Sequence, residues 1–181
     1  MLNIILDLDG TLIQQISDEF QVPLIRPYLY DFLEYLFIRF NNVSIWSAAN
    51  KEWILYNLDN MNISVNNFHF IWDGTKVTRH TKIIKYQDIH GKEILHEHKY
   101  YSKRLKKIFK KYPSYNKRNT LIIDDSQQTF SDNYGNAIHI NTWKGSPSDD
   151  SLINLMNKLE KILYEYKRKK NVRKIYKSLN L

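Results

Sequence analysis

The chain has 181 residues, 43% hydrophobic and 14% aromatic, which is enough apolar surface for one self-sufficient core. With no cysteine, a disulfide framework and a thiolate metal site are both excluded, so any metal must be held by oxygen or histidine. The formal charge of +8 is segmental: residues 167–181 hold seven Lys or Arg and no acid, and without them 20 basic residues face 19 acidic ones, leaving a nearly neutral body.

Residues 2–7, LNIILD, form a short apolar run that predicts a buried strand, and it ends on two carboxylates, Asp7 and Asp9. Two anions so close repel each other, more strongly when desolvated, so a positive charge is expected between them or between them and a ligand. After Pro27, which suits a first helical turn, Leu29, Phe32, Leu33, Leu36 and Phe40 recur at helical spacing. VSIWS at 43–47 predicts a second strand. Residues 68–98 break the rhythm with β-rich pieces between Asp-Gly and His-Gly turn signals, and predict a small antiparallel insertion.

Residues 99–118 follow with nine basic residues and no acid, and within them Leu105, Ile108 and Phe109 predict a helix. TLIID at 120–124 predicts a third strand and AIHI at 137–140 a fourth. Leu152, Leu155, Met156, Leu159, Leu163 and Tyr166 define a long final helix, with cap candidates from Ser148 to Asp150. In the basic tail, Val172, Ile175, Tyr176 and Leu179 space a helix with one apolar stripe; the tail could serve as a nuclear-import signal, an arm for RNA or DNA or a helix packed on the body, and an accessory role with weak contact to nucleic acid is expected. No segment approaches the ~20 apolar residues of a membrane span, and the N-terminus has no signal-peptide pattern. The expected location is intracellular, nuclear or cytoplasmic.

Strands alternating with helices predict an α/β fold, a Rossmann-like, mainly parallel sheet flanked by helices, in one domain over 1–166 with a small cap at about 68–98. In a parallel sheet all carboxyl ends share one edge, so Asp7, Ser47 and Asp124 converge there, with Asp125 and Asp9 beside them. Such a hard-oxygen cluster suits Mg²⁺, the missing positive charge, and Asp7, Asp9, Asp124 and Asp125 are its candidate ligands. At that edge an aspartate can attack phosphorus, and a second carboxylate two residues on can act as general acid and then base. Gly10 permits close backbone approach to a phosphate, the amides around Thr11 can point at its oxygens, and a lysine nearby would stabilise its charge.

DLDGTL resembles the first motif of the haloacid dehalogenase superfamily of phosphohydrolases, with Ser47 and IIDDS at 122–126 in the places of its second and fourth motifs. RPYLYDFLEYL, IWSAANKEWILYNLD, YSKRL and LIIDDSQQTF, in that order, resemble the small phosphatases of the RNA polymerase II C-terminal domain, the NLI-interacting-factor-like family, across roughly residues 2–163. The resemblance implies Asp7 as nucleophile, Asp9 as general acid and base, Ser47 as phosphate donor, Lys103 as phosphate-binding lysine and Asp125, with Asp124 beside it, as metal ligand. Two positions depart from the family pattern: Gly10 stands where it has glutamate, and Arg104 where it has aspartate. Lys99 is a rival to Lys103.

The expected function is Mg²⁺-dependent hydrolysis of phosphomonoesters through an aspartyl phosphate, with a phosphoserine or phosphothreonine protein as substrate and the polymerase repeat as one such partner. Phosphatases of nucleotides, nucleic-acid ends or small metabolites are the alternative; a catalytically inactive binding module is the second. His96 and His98 read as surface histidines, and Trp46, Trp53 and Trp72 as core. Among Phe68, Phe70, Ile71, Trp72, Ile83, Ile84 and Tyr86 some must be core, and only part of the set is expected to supply an apolar groove for a peptide.

Overall fold

The computed structural model describes residues 1–15, 22–87 and 89–178. The chain opens with β1 (Asn3–Leu6) and a small ribbon of β2 (Ile13–Gln14) and β3 (Leu24–Ile25), then α1 (Leu29–Arg39), β4 (Asn42–Trp46), α2 (Lys51–Asn60) and β5 (Ile71–Trp72). A long hairpin follows, β6 (Thr78–Gln87) and β7 (Glu93–Ser102), then α3 (Lys106–Lys111), β8 (Thr120–Asp124), α4 (Gln127–Phe130) and β9 (Ala137–His139). Two helices close it, α5 (Ser151–Lys169) and α6 (Val172–Ser178). The main sheet has the order β5-β4-β1-β8-β9 with every pair parallel, so β1 lies at its centre.

Alternation along the central strands divides the apolar residues between two cores. Ile4 and Leu6 of β1, Val43 and Ile45 of β4, and Leu121 and Ile123 of β8 join Phe32 and Leu36 of α1 and Leu155 and Leu159 of α5. Ile5, Trp46 and Ile122 point the other way, into a smaller aromatic core with Phe70, Trp72, Ile108 and Tyr115. Both faces of the sheet are therefore covered, as its unbroken apolar strands require.

The insertion begins ten residues later than the sequence suggests. Phe68 is buried in the larger core and Phe70 and Trp72 in the aromatic one, because β5 pairs with β4 as its edge strand. The antiparallel part is the hairpin at 78–102, ten residue pairs long, with Gly91 at φ +78° beside its tip. Ile83 projects to one face of the hairpin and Ile84 and Tyr86 to the other, all exposed. Part of the set is core, as expected, but the rest is split between two faces and forms no single apolar groove.

The basic tail is likewise part of the body. Lys167 to Lys169 complete α5, and α6 buries Val172 and Ile175 against the main core, with Val172 N–H donating to the Arg118 carbonyl at 2.9 Å. Leu179 lies outside the described residues, and the Tyr176 side chain is likewise not described. A core role has a measurable effect: Ile175→Ala is expected to cost ~2–5 kcal/mol of folding free energy in chemical denaturation, whereas an accessory arm would show almost none. Among the described residues no helix is long and apolar enough to cross a membrane.

Candidate active site

β1 and β8 run in register with Leu6 opposite Ile123, so Asp7 and Asp124 leave the sheet side by side, the Asp7 N–H donating to the Ile123 carbonyl at 2.9 Å. Ser47, one residue past β4, reaches the same edge. Lys103 enters from β7, one residue beyond its end, and its ammonium donates to Asp7 Oδ1 and to Asp124 Oδ2, the latter at 2.8 Å. Its backbone is clamped as well, the N–H to the Thr129 carbonyl and the carbonyl to the Asn133 amide. Lys103 is 1% exposed, whereas Lys99 lies out on the hairpin paired with Glu97 at 3.4 Å, so the geometry separates the two rivals.

The loop after Asp7 is shaped by its neighbours. Gly10 has φ +77°, a conformation that favours glycine, and a Cβ there would stand 2.5 Å from Asp125 Oδ2. The Thr11 hydroxyl lies 3.3 Å from Asp7 Oδ2 and 3.4 Å from Asp125 Oδ1, within reach of both carboxylates. Arg26, 1% exposed, secures this loop from behind: its guanidinium donates to the Thr11 carbonyl at 2.9 Å and the Asn141 carbonyl at 3.1 Å. The same group grips Asp149 with two bonds of 2.9 and 3.0 Å. No role was expected for Arg26 from the sequence; its signal was its place at the head of RPYLYDFLEYL, one of the stretches that resemble the family.

Three carboxylates, those of Asp7, Asp124 and Asp125, bring oxygens within 4.8 Å of one another, against the single ammonium of Lys103. Burial pushes the Asp7 carboxyl up to about 8; Lys103 opposes the rise, and Asp124 and Asp125 add to it. Burial alone would lower Lys103, yet the attraction of Asp7 and Asp124 outweighs it and holds the ammonium above its usual range. The cluster is short of positive charge, and an all-oxygen donor set in that condition fits a hard divalent cation such as Mg²⁺.

Asp9 stands apart from this cluster. Its Oδ2 accepts from the Ser47 hydroxyl at 3.2 Å and its Oδ1 from the Trp53 indole N–H at 2.9 Å, so its carboxylate is engaged away from the other three and is not among the grouped ligands. Ser47 is in turn held by the Ala49 N–H at 3.0 Å. Trp53 is half-buried on α2 and touches the site, which corrects its reading as core; Trp46 and Trp72 are buried as expected. His98 stacks on Tyr100 with ring centroids 5.8 Å apart, and neither it nor His96 joins a metal group among the described residues. Asp7, Asp9, Ser47, Lys103, Asp124 and Asp125 all line one cavity of about 400 Å³, to which the hairpin adds Tyr101.

A family model described as NLI interacting factor-like phosphatase matches residues 2–173. The rat protein "Ubiquitin-like domain-containing CTD phosphatase 1" is 30% identical over 169 residues, covering 88% of this chain and 49% of its own length. The human protein of the same name is 32% identical over 143 residues, 76% of this chain and 41% of that protein. The chain thus matches about half or less of these relatives' length. An uncharacterized protein from Listeria monocytogenes serotype 4b, known as a crystal structure, aligns with a TM-score of 0.59 at 14% identity, covering 91% of this chain and 99% of that one, a likeness of fold alone. By the family match, which takes in every element from β1 to the start of α6, the chain belongs to the NLI interacting factor-like phosphatase family.

Proposed function

We propose that the chain hydrolyses phosphoserine or phosphothreonine monoesters in polypeptides through an aspartyl phosphate on Asp7. The observation that carries this reading is the position of Asp7: buried at the end of the central strand, bound by Lys103, with Asp9 two residues on and engaged separately. In the first half-reaction an Asp7 oxygen bonds to phosphorus, the bond from phosphorus to the serine oxygen breaks, and Asp9 gives its proton to that oxygen. In the second, Asp9 takes a proton from water, which attacks phosphorus and releases inorganic phosphate from Asp7. Lys103 holds the charge on the phosphoryl oxygens, the Gly10 and Thr11 N–H groups being already donated to the Ile13 and Leu8 carbonyls, and Ser47 is the neutral donor once it turns from Asp9 to the phosphate. Asp7, Asp124 and Asp125 are the residues that would hold Mg²⁺, which supplies charge neutralisation at the phosphoryl group when bound.

A polypeptide substrate is supported by two features. The name borne by the rat and human relatives is that of a CTD phosphatase, and the polymerase C-terminal repeat is the phosphopeptide this suggests. The catalytic cavity also opens beside a protruding hairpin, a shape suited to an extended chain. The test is phosphate release from serine phosphopeptides of the polymerase heptad type, nucleoside monophosphates, phosphorylated oligonucleotides and sugar phosphates, with Mg²⁺ and with chelator. Phosphopeptides are expected to exceed nucleotides by at least ~10-fold in kcat/KM, about 1.4 kcal/mol of transition-state binding, and chelation to abolish turnover until Mg²⁺ is restored. Equal or better turnover of nucleotides would remove the protein substrate from the proposal, and full activity in excess chelator would remove the metal.

A further inference from the structure

A second cavity, of about 550 Å³, opens next to the catalytic one. Asp9 and Ala49 belong to the walls of both, so the two chambers meet at the Asp9 carboxylate. The described lining of the second chamber adds Gly10, Gln14, Gln15, Asn50 and Trp53 and includes no Lys, Arg or His. Without a cation it offers little to another phosphate. Its amides and indole suit the neutral backbone and side chains of a peptide.

Asp9 is held at this junction from both sides. A carboxylate on a loop beside two open chambers has free rotation about its side-chain bonds unless donors fix it, and here each oxygen has one: Ser47 on Oδ2 and Trp53 on Oδ1. The two donors differ in how firmly they are placed. The Ser47 hydroxyl is a rotor, and the proposed reaction turns it toward phosphate. The Trp53 indole is a rigid plane on the first turn of α2, whose N-cap residue Asn50 accepts the Trp53 backbone N–H at 2.7 Å. Its ring also stacks on Tyr56, with centroids 6.2 Å apart. The indole N–H is therefore the donor that remains on Asp9 when Ser47 leaves it.

From this geometry we infer that Trp53 is a positioning residue: it holds Asp9 where the chambers meet, so that the proton reaches the leaving oxygen of a phosphopeptide whose backbone lies in the second chamber. The inference rests on the phosphatase reading above. An acid must stay within about 2.6–3.2 Å of the oxygen it protonates, and a displacement of ~1 Å costs roughly 100-fold.

The test is Trp53→Phe, which keeps the ring and its stacking and removes the N–H. It is assayed on a phosphoserine peptide and on 4-nitrophenyl phosphate, through kcat/KM, which reports steps up to cleavage of the ester. A serine alkoxide needs a proton to leave and 4-nitrophenolate does not. The expected result is a ~10- to 100-fold loss on the peptide and less than a ~3-fold change on the aryl ester, with an unchanged thermal midpoint. In an Asp9→Asn background the same substitution is expected to add almost nothing on the peptide, since the two residues act as one unit. Equal losses on both substrates, losses that multiply with Asp9→Asn, or no loss on the peptide would each overturn the assignment. The phosphatase reading fails separately and visibly, as a wild-type protein inert toward both substrates.

Discussion

Asp7→Asn is expected to reduce phosphate release by at least ~10⁴-fold while leaving the protein folded. The substitution keeps the shape of the side chain and removes the attacking charge, and losing a nucleophile commonly costs on the order of 10⁴- to 10⁶-fold. Folding should be spared for a reason visible in the site. Asp7 is one of three clustered carboxylates facing one ammonium, and burial already pushes it up to about 8, so the neutral amide relieves repulsion rather than creating it. Lys103 keeps Asp124 as its partner. Steady-state phosphate release and a thermal melt on the same preparation settle the matter. Near-normal turnover in folded protein would sink the covalent mechanism, and a collapse of the melting temperature would show that Asp7 is structural.

Arg26→Met is expected to cause a large loss of stability. The methionine fills part of the buried volume but donates nothing, so the Thr11 and Asn141 carbonyls lose a donor and the Asp149 carboxylate its partner. Breaking one side of such a buried pair costs ~3–5 kcal/mol, which for a chain of this size lowers Tm by roughly 6–20 °C. The loss should be partly recovered in Arg26→Met with Asp149→Asn, because the uncompensated charge is then gone. Burial alone would raise the Asp149 carboxyl, but the Arg26 and Ser151 donors outweigh it and hold it below the usual carboxylate range. The contribution of this pair is therefore present above the unfolded carboxylate pKa and declines as acid titrates Asp149 through its lowered folded value. A double substitution no more stable than the single one would refute the charge argument.

What was legible in the sequence was what depends on local pattern. β1, β4, β8 and β9 announce themselves as short apolar runs because both faces of the sheet are covered, and Asp7, Ser47 and Asp124 follow from where those runs stop. α2 was harder to see: its buried side includes Asn57, bonded back to the Trp53 carbonyl, so its apolar stripe is weak. The role of Trp53 was hidden for the same reason, since an aromatic in a helix reads as core until the fold brings Asp9 beside it. Arg26 opens the family-like stretch RPYLYDFLEYL, but its structural role was not legible, because its partners at Thr11, Asn141 and Asp149 are up to 123 residues away. The error over residues 68–72 came from a two-residue edge strand, too short to be told from the hairpin that follows. In the basic tail the apolar stripe of Val172 and Ile175 was legible, but the choice between an accessory arm and a helix packed on the body was not, because the core that takes them is made elsewhere in the chain.

The hairpin runs directly into Lys103, yet the two do not share one anchorage. Lys103 is fastened through its backbone to Thr129 and Asn133 and through its ammonium to Asp7 and Asp124, all of them outside the ribbon. A two-stranded ribbon standing off the body is marginally stable and opens from its free end by local fluctuation. Such fraying stops at the clamp, so the outer turns are mechanically decoupled from the reacting atoms. The length and charge of those turns can therefore change without shifting Lys103.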